Sequence, residues 1–530
     1  MREILYVQAG NSANYIGTHF WNTQESYFTY SDDEDPIVDH DVSFREGQTI
    51  QGDPMYCPRL IAFDHKVNFG ALAKANNFFS DSVSYAPLWN QSITEHEQEP
   101  IEPHVYQTHL QAEGDLPFST DASTIRYWSD FNRVFYTPRT IQMVPDVSGW
   151  RNSEGDWSLG HETFERFNDE TQLMEGSVRL FLEECNSFQG LQLTADTTTF
   201  GSFSHSFLLA FHDELSTAPC LSFPLMADAV PSDVNIEDVE PIIFSLNLHT
   251  HPLLRTENSC KKDCQRCRIP SRTGQYFSYE RPSTKSEKVA QKSFRRVSKA
   301  RSDRAKSQGS IYQDSSVLSA HIENSSVPLR LKGHTENIPS FCSHLNVHGS
   351  QRFSQIGGFF PVAASIKPQD FVNQFYDFSA SRQSLIDATF YTRRDVTRGF
   401  SSNALHAYDE WCSRTPIKEP YAVSTHSLGY PLPSSFPDIF QDENILHDYR
   451  KRNTQITSDL PLPSLAMCTT LSTSTGTASM LADYAKFIQT CVDRGKTGIL
   501  AGKIESMDDM KELVNDLWTI HDGYSEYTDD

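Results

Sequence analysis

The sequence contains no run of apolar residues long enough to cross a lipid bilayer, which takes about 20 residues in a helix. It also contains no internal repeat, which argues against a solenoid or propeller. The 10 cysteines are scattered along the chain, so we expect reduced thiols and no disulfide framework. An apolar segment begins at the third or fourth residue, which leaves no space for an arginine-rich transit peptide. We therefore expect any membrane contact to be peripheral.

Basic residues are scarce, because 45 Lys and Arg stand against 69 Asp and Glu, for a formal net charge of −24. An acidic surface repels phosphate groups, so we expect no nucleic-acid partner. The segment from Lys261 to Lys306 is an exception, with 15 basic and 4 acidic residues. Such a segment could contact anionic lipid or an acidic protein, although a solvated linker is the commoner explanation.

The chain of 530 residues is 38% hydrophobic and holds 34 Phe, which is enough for a folded core divided between domains. In the first half, short apolar segments alternate with helical patterns. These segments are predicted as strands, at 4–7, 60–63, 141–144, 192–193 and 241–248. This alternation predicts an α/β fold with a largely parallel sheet and flanking helices. The second half, with aromatic-rich segments and an amphipathic helix at 480–492, predicts a divergent α+β part.

Changes in composition predict five regions: 1–115, 120–254, a basic Ser-rich disordered insert at 255–326, a C-terminal domain at 327–500 and an acidic tail at 501–530. Gly10 ends the first strand, and Asn11 or Ser12 is expected to cap the following helix. A helix is predicted at 68–79, irregular chain at 90–122, and a Thr/Ser/Gly loop at 197–206.

Three segments resemble tubulins and occur in the tubulin order. They are Gln8-Ala9-Gly10-Asn11 with Asn14-Tyr15-Ile16-Gly17, then Tyr56-Cys57-Pro58-Arg59-Leu60-Ile61-Ala62-Phe63-Asp64, and Gln189-Gly190-Leu191-Gln192-Leu193. A further segment that tubulins lack resembles the misato family, which includes the fungal misato-like proteins. It reads Trp128-Ser129-Asp130-Phe131 and continues with Tyr136-Thr137-Pro138-Arg139.

The resemblance to the misato family implies a tubulin-like fold and a role in mitochondrial distribution and in inheritance of mitochondrial DNA. It implies a location in the cytoplasm and, peripherally, at the outer face of the mitochondrion. The partners expected from it are proteins of the mitochondrial-distribution or cytoskeletal machinery. None of these expectations follows from composition or spacing.

The resemblance also places a vestigial GTP site. Its residues would be Gly10, Asn11, Ser12, Asp64, Gly201 and Ser202. Tubulins cradle phosphate with a run of glycines, whereas this chain has Thr197-Thr198-Thr199-Phe200-Gly201-Ser202-Phe203. Branched Thr side chains resist the close backbone approach that phosphate needs, and Phe200 and Phe203 would add bulk there. We therefore expect no cofactor and no catalytic residue, with GTP binding kept as an alternative.

Other positions also bear on the expected GTP site. Ile243 stands where tubulins have a nucleotide-binding asparagine, and no counterpart of the hydrolysis-triggering acidic loop is found. Asp64 either holds Mg²⁺ through water or caps the following turn. Tyr15 either stacks on guanine or packs in the core.

Two other clusters of residues give weaker indications of a chemical function. Cys260, Cys264 and Cys267 have a spacing that could hold an iron–sulfur cluster, or zinc with His249 or His251, but chance clustering in a basic linker is the default. His205, Ser206 and His212 lack an acidic partner at an informative spacing, so nucleophilic catalysis is not favoured. Three hypotheses remain: a non-enzymatic tubulin-like protein, a GTP-binding protein without efficient hydrolysis, and a metal or cluster protein.

Overall fold

The structure is a computed structural model that describes residues 2–28, 36–48, 54–72, 101–113, 122–145, 157–227, 274–277, 279–281, 310–363, 366–378, 389–414, 417, 421–440, 464–493 and 507–525. The predicted strand at 241–248 with Ile243, the cysteines Cys260, Cys264 and Cys267, and most of the basic segment lie outside these residues.

The described residues form alternating helices and strands. The helices are α1 Asn11–Glu25, α2 Val105–Glu113, α3 Trp157–Thr171, α4 Arg179–Glu183, α5 Thr197–Glu214, α6 Ile311–Ser326, α7 Ile338–Leu345, α8 Pro368–Gln374, α9 Ser402–Arg414, α10 Gly476–Asp493 and α11 Met507–Asp522. The strands are β1 Glu3–Ala9, β2 Phe44–Gln48, β3 Pro54–Pro58, β4 Leu60–His65, β5 Ile141–Val144, β6 Phe188–Asp196, β7 Cys220–Ala227, β8 Gly274–Phe277, β9 Tyr279–Arg281, β10 Phe353–Phe359, β11 Tyr376–Asp377, β12 Phe390–Arg398, β13 Ala422–Ser427, β14 Tyr430–Pro431, β15 Ser464–Leu465 and β16 Met467–Ser474. Among the described residues, no helix has both the length and the apolar character needed to cross a membrane.

The N-terminal half contains a parallel sheet with the strand order β7-β6-β1-β4-β5. Its inner strands are buried along their whole length, as expected when helices cover both faces of a parallel sheet. The predicted parallel α/β arrangement is confirmed. Because the strands are parallel, their carboxyl ends meet at one edge, where Gly10, Asp64 and Asp196 lie.

Helix α6 runs through the middle of the molecule and packs along α1. The predicted disordered insert at 255–326 therefore extends too far, because residues 311–326 form this buried helix. The helix is rich in serine, and serine is depleted in ordinary helix interiors because its hydroxyl competes for backbone groups. Here Ser315, Ser316 and Ser325 donate to carbonyl groups three residues earlier, which satisfies the hydroxyls inside the core.

The C-terminal half adds a mixed sheet in which β16 runs antiparallel to β10 and β12, while β13 is parallel to β12. Strand β8 pairs with both β7 and β10, so the two halves share one continuous sheet. The predicted α+β character of the second half is confirmed. Its helices α10 and α11 pack against each other through a separate apolar cluster that includes Leu481, Ile488 and Leu517.

Two local predictions are wrong. The predicted acidic tail includes α11, in which Leu517 is fully buried against α10, as is the following Tyr524. The region 90–122, predicted as irregular, contains α2 with a buried Tyr106. The helix predicted at 68–79 lies mostly outside the described residues, which include a 3-10 turn at Lys66–Phe69 and end at 72.

Candidate functional site

The first phosphate-type loop is reduced to Gly10, which links the end of β1 directly to the start of α1. Gly10 has φ +98°, a backbone conformation that side chains with a Cβ rarely adopt. Its N–H donates to the Phe63 carbonyl at 3.0 Å, and its carbonyl accepts from the Asn14 N–H at 2.9 Å. The expectation that Asn11 or Ser12 caps the helix is wrong, since Gly10 is the capping position and both residues lie inside α1.

The second loop is absent from the structure, because β6 ends at Asp196 and α5 begins at Thr197. The predicted loop at 197–206 is therefore helix. The cause is a stripe of four Phe side chains at helical spacing, all buried beneath α5: Phe200, Phe203, Phe207 and Phe211. This signal is present in the sequence, and it outweighs the Thr and Gly residues that suggested a loop.

The space next to Gly10 is occupied by side chains from the start of α5. A Cβ placed on Gly10 would lie 2.7 Å from the Asp196 Cβ and 3.1 Å from Cδ2 of Phe200. It would also lie 3.3 Å from the Thr199 hydroxyl oxygen. The Phe200 side chain thus lies beside Gly10.

The remaining residues of the second loop point elsewhere. Phe203 lies in the core between Phe63 and Phe164, with ring centroids 5.1 and 5.3 Å away, so the prediction that it fills the phosphate position is wrong. Ser202 faces α3, since a Cβ on Gly160 would lie 2.7 Å from the Ser202 Cβ. Gly201 is buried in the first turns of α5.

Asp64 is fully buried at the end of β4 and accepts four hydrogen bonds. Its Oδ2 accepts from Asn14 Nδ2 at 3.0 Å and from the Trp128 indole N–H at 3.1 Å. Its Oδ1 accepts from the His65 N–H at 2.9 Å and from Asn68 Nδ2 at 2.7 Å. Both partners of Oδ1 belong to the turn that follows, although the N-cap position of that turn is His65 and no side chain caps it. A carboxylate has about four lone-pair positions, so these donors use its whole capacity.

Burial raises the pKa of Asp64 to about 6, against the hydrogen bonds from Asn68, Asn14, His65 and Trp128, which lower it. A Mg²⁺ ion at this carboxylate would have to displace at least one of the four donors. Within the described ranges, no group of three or more His, Cys, Asp or Glu side chains is arranged to hold a metal ion.

Tyr15 belongs to a buried aromatic cluster, so the alternative of core packing is confirmed. Its ring lies 5.8 Å from that of Phe131, which in turn lies 4.5 Å from the His19 ring and 4.7 Å from the Tyr312 ring. Nε2 of His19 donates to the Tyr312 carbonyl at 2.9 Å. Burial lowers the pKa of His19 to about 3, so the imidazole is neutral at physiological pH.

The candidate nucleophile is not activated. The Ser206 hydroxyl donates to the Ser202 carbonyl at 3.1 Å, and Nδ1 of His161 lies 2.8 Å from the same hydroxyl oxygen. Because the Ser206 hydroxyl donates its proton to a carbonyl, its oxygen accepts from His161. General-base activation would need Ser206 to donate to His161 instead. His205 and His212 are also on α5.

Ser12 Oγ and Asn14 Oδ1 are buried polar atoms at the site without a hydrogen-bond partner among the described residues. Sequence reasoning identified Ser12 as a site residue. It missed the contact of Trp128 with Asp64, because nothing in the spacing of two residues 64 positions apart indicates that they meet.

Two protein families match the chain in succession. The Misato Segment II tubulin-like domain matches residues 2–112, and the Tubulin domain matches residues 117–237. Residues 2–112 are thus similar to misato proteins, and residues 117–237 are similar to tubulins. The fold seen here agrees with that similarity, because the matched region contains the parallel sheet and its Gly10 turn.

Fungal proteins named Protein dml1 or Protein DML1 are similar to part of the chain. The protein from Aspergillus niger is 40% identical over 223 residues, which is 40% of this chain and 45% of the relative. The protein from Gibberella zeae is 38% identical over 219 residues, which is 40% of this chain and 44% of the relative. The protein from Schizosaccharomyces pombe is 32% identical over 231 residues, covering 41% and 49%. The chain thus matches less than half the length of each of these relatives.

Proposed function

We propose that this misato-like chain is a non-enzymatic, tubulin-like protein that takes part in mitochondrial distribution and in inheritance of mitochondrial DNA. Its partners are proteins of the mitochondrial-distribution or cytoskeletal machinery, and it acts from the cytoplasm and peripherally at the outer mitochondrial surface. No cofactor takes part. The mitochondrial role is supported by the resemblance to the misato family, and the absence of catalysis is supported by the crowding at Gly10.

The crowding at Gly10 is the observation that carries the non-enzymatic part of the proposal. Phosphate binding to a Gly loop needs backbone N–H groups that an anion can reach, but the Gly10 N–H already donates to the Phe63 carbonyl. Phe200 and Thr199 also lie 3.1 and 3.3 Å from the position that a Cβ on Gly10 would take. The Asp196 carboxylate is fully buried on the same side. A triphosphate brought there would meet both a steric clash and like-charge repulsion in a medium where charges are poorly screened.

Equilibrium dialysis with labelled GTP tests the absence of nucleotide binding. The whole chain is expected to retain no GTP at micromolar concentration, with or without Mg²⁺. The Ser12→Ala variant is the matched comparison, because it removes only a buried hydroxyl that has no hydrogen-bond partner among the described residues. Saturable binding by the whole chain that is weakened in Ser12→Ala would overturn the non-enzymatic proposal.

The cellular role is tested separately by depleting the protein from the organism and imaging the mitochondrial network and its DNA. Clumped mitochondria and loss of mitochondrial DNA are expected, with full rescue by the unaltered chain and by Ser12→Ala. A normal network after depletion would remove the mitochondrial proposal and leave the non-enzymatic one intact.

A GTP-binding protein without efficient hydrolysis is the second candidate, and the unsatisfied Ser12 hydroxyl is the observation that favours it. The N-termini of α1 and α5 also lie at the same sheet edge, where helix ends attract anions. Against it stands the occupation of all acceptor positions of Asp64. The same dialysis experiment decides between the two candidates.

A further inference from the structure

Residues 126–133, which we call the Trp128 segment, form a compact turn that is held together internally. The Asp130 carboxylate is buried and accepts from the backbone N–H groups of Arg126 at 2.8 Å and Tyr127 at 3.1 Å. Four residues of this turn are buried, Trp128, Ser129, Asp130 and Phe131. The turn therefore presents its side chains in one fixed arrangement.

One end of the segment reaches Asp64. The Trp128 indole N–H donates to Asp64 Oδ2 at 3.1 Å, and its ring packs edge-on against Phe69 at a centroid distance of 5.2 Å. Trp128 is buried. The resemblance to tubulins places Asp64 near the metal ion that accompanies a bound nucleotide. In this chain an indole N–H donates to that carboxylate instead.

The other end of the segment fills the space between α1 and α6. The Phe131 ring lies among Tyr15 and His19 of α1 and Tyr312 of α6, with centroid distances of 5.8, 4.5 and 4.7 Å. Tyr15 stands where the resemblance expects a residue near the nucleotide base. A planar ring of this chain thus occupies the position between the first helix and the central helix.

The segment also ties α1 to the C-terminal half. Asn22 Nδ2 donates to the Phe131 carbonyl and to the Ser435 hydroxyl, both at 2.8 Å. Arg133 donates to the Ser434 hydroxyl at 2.7 Å and pairs with Glu25 at 3.0 Å. The bonds to Ser434 and Ser435 connect parts of the chain that are 301 and 413 residues apart in sequence.

We propose that the Trp128 segment is a built-in ligand that replaces a bound nucleotide as the element that fixes the N-terminal sheet, α6 and the C-terminal half in one arrangement. This inference rests on the proposed function, because it assumes that no nucleotide occupies the site. It assigns Phe131 and Trp128 as positioning residues, which act through Tyr312 and Asp64 and not on any substrate.

Hydrogen–deuterium exchange of the full chain tests this inference. In Phe131→Ala, amide exchange is expected to rise about tenfold or more in α6 and in residues 430–440, and to stay unchanged in α3, which packs against α5. Phe131→Leu removes less of the side chain and is less disruptive to folding. It is expected to give an intermediate increase in amide exchange in the same two regions.

The matched control is Phe135→Ala, because Phe135 is four positions away and 52% exposed. It is expected to leave exchange in α6 unchanged. An increase in amide exchange that is confined to the Trp128 segment, or an equal increase in α3, would overturn the proposal that the segment is a built-in ligand. The non-enzymatic proposal would still stand. Conversely, GTP bound by the unaltered chain would remove the proposed function, whatever the exchange pattern.

Discussion

Glu323 of α6 and Arg398 of β12 form an ion pair with an O–N distance of 3.1 Å, and both side chains are completely buried. The other Glu323 oxygen accepts from Arg330 at 3.3 Å and from the Tyr27 hydroxyl at 2.9 Å. One carboxylate thus pairs with two buried guanidinium groups where α1, α6 and β12 meet. Such a cluster costs desolvation energy, but removing its single negative charge costs more, because two cations are then left without compensation.

The Glu323→Gln variant is expected to lower the free energy of unfolding by about 3–5 kcal/mol, the range for breaking a buried ion pair from one side. The amide keeps the shape of the side chain but replaces one acceptor oxygen by a donor nitrogen, so the loss reports the charge together with the hydrogen bonds of that oxygen. Urea titration followed by tryptophan fluorescence measures it. Glu410→Gln, which breaks the exposed pair with Arg414, serves as the control and is expected to leave the midpoint unchanged. Equal effects of Glu323→Gln and Glu410→Gln would contradict the stabilising role of the buried Glu323 carboxylate.

Asp64 is expected to make stability depend on pH. The folded carboxyl keeps its proton up to about pH 6, whereas the ordinary pKa is 3.8, so the folded state binds more protons between these values. Its contribution to the free energy of unfolding is therefore full below pH 3.8 and is lost as the pH rises through about 6. The loss is about 3 kcal/mol at 1.36 kcal/mol for each pKa unit.

The measurement for Asp64 is the difference in free energy of unfolding between the unaltered chain and Asp64→Asn, taken across this pH range. Asparagine does not titrate, so the other ionisable groups cancel in the difference. The unaltered chain should lose stability relative to the variant as the pH rises. A relative gain with rising pH would mean that the four hydrogen bonds outweigh burial and hold the pKa down.

Gly10→Ala is expected to lower the free energy of unfolding by roughly 2–5 kcal/mol. The loss combines backbone strain at positive φ with overpacking by the new methyl group. The new methyl group would lie 2.7 Å from the Asp196 Cβ. Thermal unfolding measures the effect. Gly176→Ala is the matched control, since nothing lies within 4 Å of its added Cβ. A tolerated Gly10→Ala would show that the start of α5 can move away, which would reopen the site to phosphate.

Leu517→Ala is expected to lower the free energy of unfolding by about 2–5 kcal/mol, because Leu517 is fully buried between α11 and α10. Limited proteolysis should then release a fragment that ends before α11. Lys511→Ala is the control, since its side chain is exposed and pairs only with the exposed Asp508 among the described residues. If cleavage near residue 507 is equally fast in the unaltered chain, α11 is not held against the body.

Some errors of the sequence analysis have recognisable causes. The helix at 197 was missed because Thr and Gly residues suggested a loop, although Phe200, Phe203, Phe207 and Phe211 keep a helical spacing. The start of α6 was missed because its interior is polar. Gln313 Oε1 accepts from the Ser310 N–H at 3.3 Å, half of a capping box that marks the helix start.

The sequence by itself determined the parallel sheet, the turn at Gly10 and the relation to tubulins and misato proteins, because strand periodicity, glycine and short ordered motifs are local properties. Tertiary structure alone decided what fills the inherited site. Trp128 meets Asp64, and Phe131 meets Tyr312, across separations of 64 and 181 residues. Contacts of this kind depend on how the sheet edge, α1 and α6 close around one space, and no local pattern encodes that packing.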